Sequence, residues 1–201
     1  MDDVKNIDDY FSDSDNWDND YFLQVYEEYL NLIYWVKGFK PINILEIGSR
    51  GFSFFIISNF SEGKKVAVDL SNLEMRFKMG MYGQDWKFFN GDSQTIEMKE
   101  KVRNFCPKYD LIFIDGDHSY EGVKTDFNLY KDLLSDRGVI LFHDVDPNHV
   151  FKGDLGGGDV WKFWEELDEG TKTHIVTTKS AGKNTLWGKN YGFGGIGIWT
   201  K

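Results

Sequence analysis

Beyond Pro41 the chain passes through seven short apolar runs: Ile42–Ile47, Lys65–Leu70, Trp86–Phe89, Leu111–Ile114, Val139–Phe142, His174–Thr177 and Ile196–Trp199. Helical stretches separate them. Several runs are apolar at consecutive positions rather than at alternate ones, which is how a strand reads when both of its faces are covered, as in a parallel sheet. Between the fourth and fifth runs, Tyr120, Val123, Phe127, Tyr130 and Leu134 recur at helical spacing, and Gly138 is expected to close that unit just before the next strand. This is a β-α-β crossover. The alternation predicts an α/β fold with a mostly parallel seven-stranded sheet, helices on both faces, and ligands at the carboxyl ends of the strands.

Upstream, Phe22, Val25, Tyr26, Tyr29, Leu32, Ile33 and Val36 share one face of a helix expected over Tyr21–Lys37, stopped by Gly38 and Pro41. The first 20 residues hold eight Asp and one Lys with little periodicity, and read as a solvated acidic arm. A chain of 201 residues ordinarily forms one domain, so the expected division is an arm over 1–20 and a single domain over 21–201. The formal net charge of −10 counts against nucleic acid or an anionic membrane as the main partner. Most of that excess lies in the arm, however, so it says little about the substrate. A lone cysteine, Cys106, forms no internal disulfide, and the N-terminus lacks the basic and apolar regions of a signal peptide, so a reducing cytoplasmic setting is expected.

Four segments carry chemistry. Glu46-Ile-Gly48-Ser49-Arg50-Gly51 follows the first run and precedes a stretch, Phe54–Ile57, that reads as a helix. Such a glycine-bearing turn lets the backbone approach a nucleoside cofactor closely. Arg50 stands where a G-x-G-x-x-G motif has its second glycine, which disfavours a dinucleotide pyrophosphate; a tight turn without any ligand is the alternative. Asp69 ends the second run about 20 residues later, where a carboxylate can accept hydrogen bonds from both ribose hydroxyls or can simply cap the strand. Gly91, Asp92, Ser93 and Gln94 follow the third run. Beside a nucleoside their donors and acceptors suit an adenine edge, while Asp92 or Ser93 alone would pass for a helix N-cap.

The fourth segment, Asp115-Gly116-Asp117-His118 after the fourth run, is matched by His143-Asp144 after the fifth. Adjacent parallel strands would bring Asp115, Asp117, His118, His143 and Asp144 to one mouth. Ionisable groups concentrated there are costly without a task. Carboxylate and imidazole donors suit Mg²⁺, Mn²⁺ or Fe²⁺ better than Zn²⁺; a hydrogen-bonded network that positions substrate without metal is the alternative.

Taken together, EIGxxG, VAVDL, NGDSQ, YDLIFIDGDHSYEGVKTDF and GVILFHDV resemble the class I S-adenosylmethionine-dependent methyltransferases, within them the catechol-type and macrolide-sugar O-methyltransferases. The resemblance implies a Rossmann-like sheet whose last strand runs antiparallel. It places Glu46, Gly48, Ser49, Arg50 and Gly51 at the methionine part of the cofactor, Asp69 at the ribose, and Gly91, Asp92, Ser93 and Gln94 around adenine. Asp115, His143 and Asp144 fall where metal-dependent relatives bind a divalent ion, with Asp115 also beside the cofactor, and His118 falls where they place a general base. The implied reaction is methyl transfer to a hydroxyl of a small molecule, a sugar or glycoside being favoured. Two departures stand out: the first glycine motif is one residue shorter than in many relatives, and His143 replaces a more usual Asp or Glu.

The later segments say less. Lys152–Asp159, rich in glycine, is expected as a loop over the acceptor pocket. Val160, Phe163, Trp164 and Leu167 form an amphipathic stripe read as core, and His174 is read as structural, whereas His149 lies nearer the mouth. A homo-oligomer is left open. The rival readings are an NAD- or nucleotide-dependent oxidoreductase and a catalytically silent protein that binds S-adenosylmethionine.

Overall fold

The computed structural model describes residues 26–49, 57–71, 85–147, 158–175 and 195–201. The acidic arm, Arg50, Gly51, His149 and most of the glycine-rich segment lie outside these residues. Helix α1 (Tyr26–Phe39) leads into β1 (Ile44–Ile47), β2 (Lys65–Asp69) and β3 (Trp86–Asn90). Then come α2 (Ile96–Phe105), β4 (Tyr109–Ile114), α3 (Tyr120–Tyr130) and β5 (Leu134–His143). Helix α4 (Val160–Glu166), β6 (Thr171–Ile175) and β7 (Ile196–Thr200) complete the order.

All seven strands join one sheet, in the order β3-β2-β1-β4-β5-β7-β6. Strands β1 to β5 pair in parallel, and β7 runs antiparallel to both β5 and β6. The strand order reverses at β1/β4, the place at whose carboxyl ends sheets of this kind take their ligands.

The continuous apolar runs have the expected cause. Along β4, Tyr109, Ile112 and Ile114 pack into one core cluster and Leu111 and Phe113 into the other; along β5, Ile140 and Phe142 face one side and Val139 and Leu141 the other. Helices α2, α3 and α4 cover the first face through Met98, Val102, Val123, Phe127, Phe163 and Trp164. Helix α1 covers the second with Leu32, Ile33 and Val36. The α4 stripe is therefore core, as the sequence predicts, and His174 accepts a hydrogen bond from Trp164 Nε1 at 3.1 Å.

Three boundaries differ from expectation. Helix α1 does not stop at Gly38 but runs to Phe39. The chain turns instead at Lys40, whose φ is +54° and whose amide donates to the Val36 carbonyl at 2.9 Å; one interior glycine costs a helix only about 1 kcal/mol. Gly138 does not precede β5 but lies within it. The strand begins at Leu134 after a 3₁₀ turn, Lys131–Leu133, and its register against β4 shifts between Tyr109 and Leu111. At that irregularity a Cβ on Gly138 would sit 2.9 Å from the Tyr109 carbonyl oxygen, so the glycine serves a close approach between strands. Strand β6 starts at Thr171, earlier than the predicted His174, because this edge strand is largely exposed and carries little apolar signal.

The amino ends of β1, β4 and β5 are tied by Asp110. Its carboxylate accepts from the Ile42 amide at 2.7 Å, from Ser135 Oγ at 2.6 Å and from Arg137 at 3.3 Å. Burial pushes this carboxyl up, but the Arg137 and Ser135 bonds and the Ile42 amide outweigh it and hold the group below its usual range. The folded value lies below the unfolded one, so the stabilisation is present above about pH 4 and is lost as pH falls through the folded value. Asp110→Ala is expected to lower stability by about 2–4 kcal/mol in urea melts at pH 7, since a buried amide and hydroxyl lose a charged acceptor. The loss should shrink towards pH 3; an equal loss at both pH values would contradict the account.

Candidate active site

At the β1 carboxyl end the chain enters a tight turn. Gly48 has φ +83°, its amide donates to the Val68 carbonyl at 2.9 Å, and the Asp115 amide donates to the Ile47 carbonyl at 2.9 Å. The turns after β1 and β4 thus lie in direct contact, and a Cβ on Gly48 would sit 2.0 Å from the Asp115 carbonyl oxygen. Glu46 and Ser49 are fully buried beside this turn.

Asp69 closes β2, and its Oδ1 accepts from the Ser71 amide at 2.7 Å and from Ser71 Oγ at 2.5 Å. Its other carboxylate oxygen enters neither of these bonds. Gly91, with φ +150°, turns the chain after β3, and its amide donates to the Asp69 carbonyl at 2.9 Å. Asp92 Oδ1 accepts from the Gln94 amide at 2.8 Å. Neither Asp92 nor Ser93 caps the next helix, because Thr95 holds that place and accepts from the Met98 amide. Ser93 is drawn into the body, with its Oγ donating to Asp126 Oδ1 at 2.8 Å. Gln94 Nε2 donates to Asp117 Oδ2 at 3.2 Å, and Asp117 Oδ1 accepts from the Ser119 amide. Asp117 therefore braces the turn and stays out of the central cluster.

That cluster unites β4 and β5, which pair in parallel as expected. His118 Nδ1 lies 2.5 Å from Asp144 Oδ2, and His118 Nε2 lies 3.7 Å from Asp115 Oδ1. Asp115, His118 and Asp144 each offer a donor atom within 4.8 Å of the others. Asp144 has φ +61°, a conformation uncommon outside glycine though tolerated by Asp, and one that collects at functional sites. His143 takes part with one edge only: its Nδ1 is 3.2 Å from Asp115 Oδ1 and 3.4 Å from Asp144 Oδ1. No hydrogen bond is aligned at that buried atom. The other edge, Nε2, meets Glu28 Oε1 at 2.7 Å.

Burial opposes the charged form of both imidazoles. For His118 the hydrogen bond it donates to Asp144 and the charges of Asp115 and Asp144 outweigh it and raise the pKa. For His143 the same two aspartates raise it well above the ordinary value. His118 is the more accessible, its side chain 37% exposed against 12% for His143. Gly158 and Asp159, at the end of the glycine-rich segment, touch this histidine directly: the Asp159 amide donates to the His118 carbonyl at 2.8 Å.

Two further groups escaped the sequence reading. Glu28, on α1, is only 1% exposed and looked like one polar position of an amphipathic helix. Asp126 likewise sits inside an ordinary helical stripe, yet it is fully buried, with one carboxylate oxygen unbonded. Burial pushes its pKa up to about 7 despite the bond from Ser93.

A glycine turn after β1, acids at the ends of β2 and β4, and a strand order that reverses at β1/β4 define a class of α/β folds whose ligand sites lie at strand carboxyl ends. Comparison with known proteins narrows this class. A family described as a methyltransferase domain matches residues 45–145, and the chain belongs to that family. Its fold is that of the class I S-adenosylmethionine-dependent O-methyltransferases. A structure described as a caffeoyl-CoA O-methyltransferase from Staphylococcus aureus superposes with a TM-score of 0.65 at 18% identity, covering 94% of this chain and 88% of that one. An O-methyltransferase from Bacillus cereus in complex with SAH gives 0.63 at 17% identity, covering 94% and 86%. Among curated sequences, uncharacterized protein y4gI of Sinorhizobium fredii is 26% identical over 147 residues, 66% of this chain and 16% of its own length. Ribosomal RNA large subunit methyltransferase E of Borrelia duttonii is 34% identical over 86 residues, 42% of each chain. The chain thus spans less than half of these curated relatives. Among the described residues no helix is long and apolar enough to cross a membrane.

Proposed function

We propose that the protein transfers a methyl group from S-adenosylmethionine to a hydroxyl of a small molecule, with His118 as the general base. The observation that carries this reading is the orientation of His118. Its Nδ1 is engaged by Asp144, which leaves Nε2, 3.7 Å from Asp115 Oδ1, as the ring atom without a close partner on a side chain 37% exposed, and the neighbouring carboxylates make the imidazole more basic. The same division of labour between a base and the carboxylate that orients it recurs in unrelated enzymes.

In the proposed mechanism Glu46, Gly48, Ser49, Arg50 and Gly51 border the methionine moiety. Asp69 accepts from the ribose hydroxyls, and Gly91, Asp92 and Gln94 lie along the adenine, with Ser93 supporting that turn through Asp126. The acceptor oxygen attacks the methyl carbon as the sulfonium C–S bond breaks, and the hydroxyl proton passes to His118 Nε2. Transfer by a positioned base contributes about 10²–10⁴-fold, and alignment of the oxygen with the methyl group supplies the larger share. A carbohydrate acceptor is the favoured substrate, on the likeness of the His118 segment to sugar methyltransferases.

The cluster also fits a divalent cation. Two carboxylates and an imidazole are hard and borderline donors that suit Mg²⁺ or Mn²⁺, and the unbonded, buried His143 Nδ1 faces Asp115 and Asp144. Asp115, His143 and Asp144 would hold the ion. When bound it would lower the pKa of the acceptor hydroxyl. Exhaustive EDTA treatment is expected to reduce turnover by at least 100-fold and added Mg²⁺ or Mn²⁺ to restore it; undiminished turnover would remove the cation from the scheme. The whole reading is tested by methyl transfer from labelled S-adenosylmethionine to panels of glycosides and phenols. Calorimetry with S-adenosylhomocysteine and NAD distinguishes it from an oxidoreductase: tighter binding of NAD would refute it.

A further inference from the structure

Resting on the cation reading above, we infer that Glu28 is a positioning residue that fixes His143 so that Nδ1, and not Nε2, is presented to the cation. Glu28 comes from α1, far in sequence from every motif of the site. Both of its oxygens are engaged: Oε1 with His143 Nε2 at 2.7 Å and Oε2 with the Gly195 amide at 2.9 Å. Gly195 adopts φ +75° just before β7, and the antiparallel register sets Ile196 opposite His143. The carboxylate is therefore held by the backbone on one side and holds the imidazole on the other. At 1% exposure it is shielded from water that would compete for these partners.

The consequence lies at the opposite ring edge. A carboxylate acceptor requires a proton on Nε2, and the neutral ring then carries its lone pair at Nδ1, between Asp115 Oδ1 and Asp144 Oδ1. A bare lone pair facing two anionic oxygens is repulsive, so that edge carries either a proton or a cation, and a cation seated there displaces only the Nδ1 proton because Glu28 keeps the one on Nε2. A carboxylate behind a metal-ligating histidine sets the tautomer and strengthens the donor, and removing it typically weakens the metal by about 10–100-fold. Merely anchoring α1 to the sheet would not require the second carboxylate oxygen to meet a histidine of the site.

The test uses the full chain and Mn²⁺ as the probe, followed by calorimetry and electron paramagnetic resonance. Glu28→Gln is expected to weaken Mn²⁺ about 10–100-fold while S-adenosylhomocysteine affinity stays within about twofold. Unchanged Mn²⁺ affinity in Glu28→Gln would overturn the inference and leave the cation reading standing. No Mn²⁺ binding by the unaltered protein would overturn both. Because Glu28→Gln can also loosen α1, the unaltered protein supplies an independent readout. With only four histidines in the chain, ¹⁵N-labelled imidazoles are resolvable by NMR. In the protein loaded with diamagnetic Zn²⁺, His143 should carry its proton on Nε2. A proton on Nδ1 would refute the proposal whatever the variant does.

Discussion

His118→Ala lowers kcat by about 10²–10⁴-fold while S-adenosylhomocysteine affinity stays within about threefold, in equilibrium binding and steady-state assays on one preparation. The range follows from what the side chain does. Loss of the base leaves the acceptor oxygen to give up its proton to water, but the cofactor turn is untouched, because Gly48, Asp69 and Gly91 are held by backbone bonds that do not involve the imidazole. His118→Gln is the informative companion. It keeps a polar side chain next to Asp144 and cannot accept and carry a proton, so its kcat should fall as far as that of the alanine variant. The same pair decides a competing role. Asp115, His118 and Asp144 each offer a donor atom within 4.8 Å of the others, and an ion seated on that set would engage His118 itself. A base leaves Mn²⁺ affinity unchanged in His118→Ala, whereas a ligand takes that affinity with it. Full turnover in either variant would end the case for His118 as the base.

The parts of this site that were readable beforehand share a physical origin. Asp69, Asp115 and the pair His143-Asp144 each follow a continuous apolar run, and a strand covered on both faces announces where it ends. The polar residue that follows is thereby placed at the carboxyl edge of the sheet without knowledge of any contact. Glu28 had no such marker, since a polar position in a helix is ordinarily solvated and only the tertiary fold brings His143 at the end of β5 and Gly195 before β7 to it. Asp126 was hidden for the same reason. Ser93 was assigned an outward role by its motif, but the Asp126 carboxylate beneath it claims the hydroxyl, a pairing of residues 33 apart that no local pattern encodes. Boundaries failed where a glycine had a tertiary role: Gly138 marks a close approach to β4 rather than a helix end, and Gly38 rides inside α1 because Lys40 makes the turn.

Gly48→Ala is expected to lower stability by about 2–5 kcal/mol and to weaken S-adenosylhomocysteine by at least 100-fold. Two costs add at this residue. The left-handed conformation at φ +83° costs a residue with a Cβ about 1–2 kcal/mol. The Cβ itself would lie 2.0 Å from the Asp115 carbonyl oxygen and 2.4 Å from Gly116 Cα, both backbone atoms, so relief requires the turns after β1 and β4 to move apart, at a further cost of about 1–3 kcal/mol. For a domain of this size each kcal/mol shifts Tm by about 2–4 °C, which puts the expected drop near 10 °C. Binding suffers more than stability because both displaced turns belong to the site: one borders the methionine moiety and the other carries Asp115. The comparison variant is Gly38→Ala, where a Cβ meets nothing within 4 Å and a helix interior gains about 1 kcal/mol; its Tm should rise slightly and its cofactor affinity should not change. A Gly48→Ala protein that melted and bound S-adenosylhomocysteine like the parent would show that the contact between the β1 and β4 turns does not shape the cofactor site.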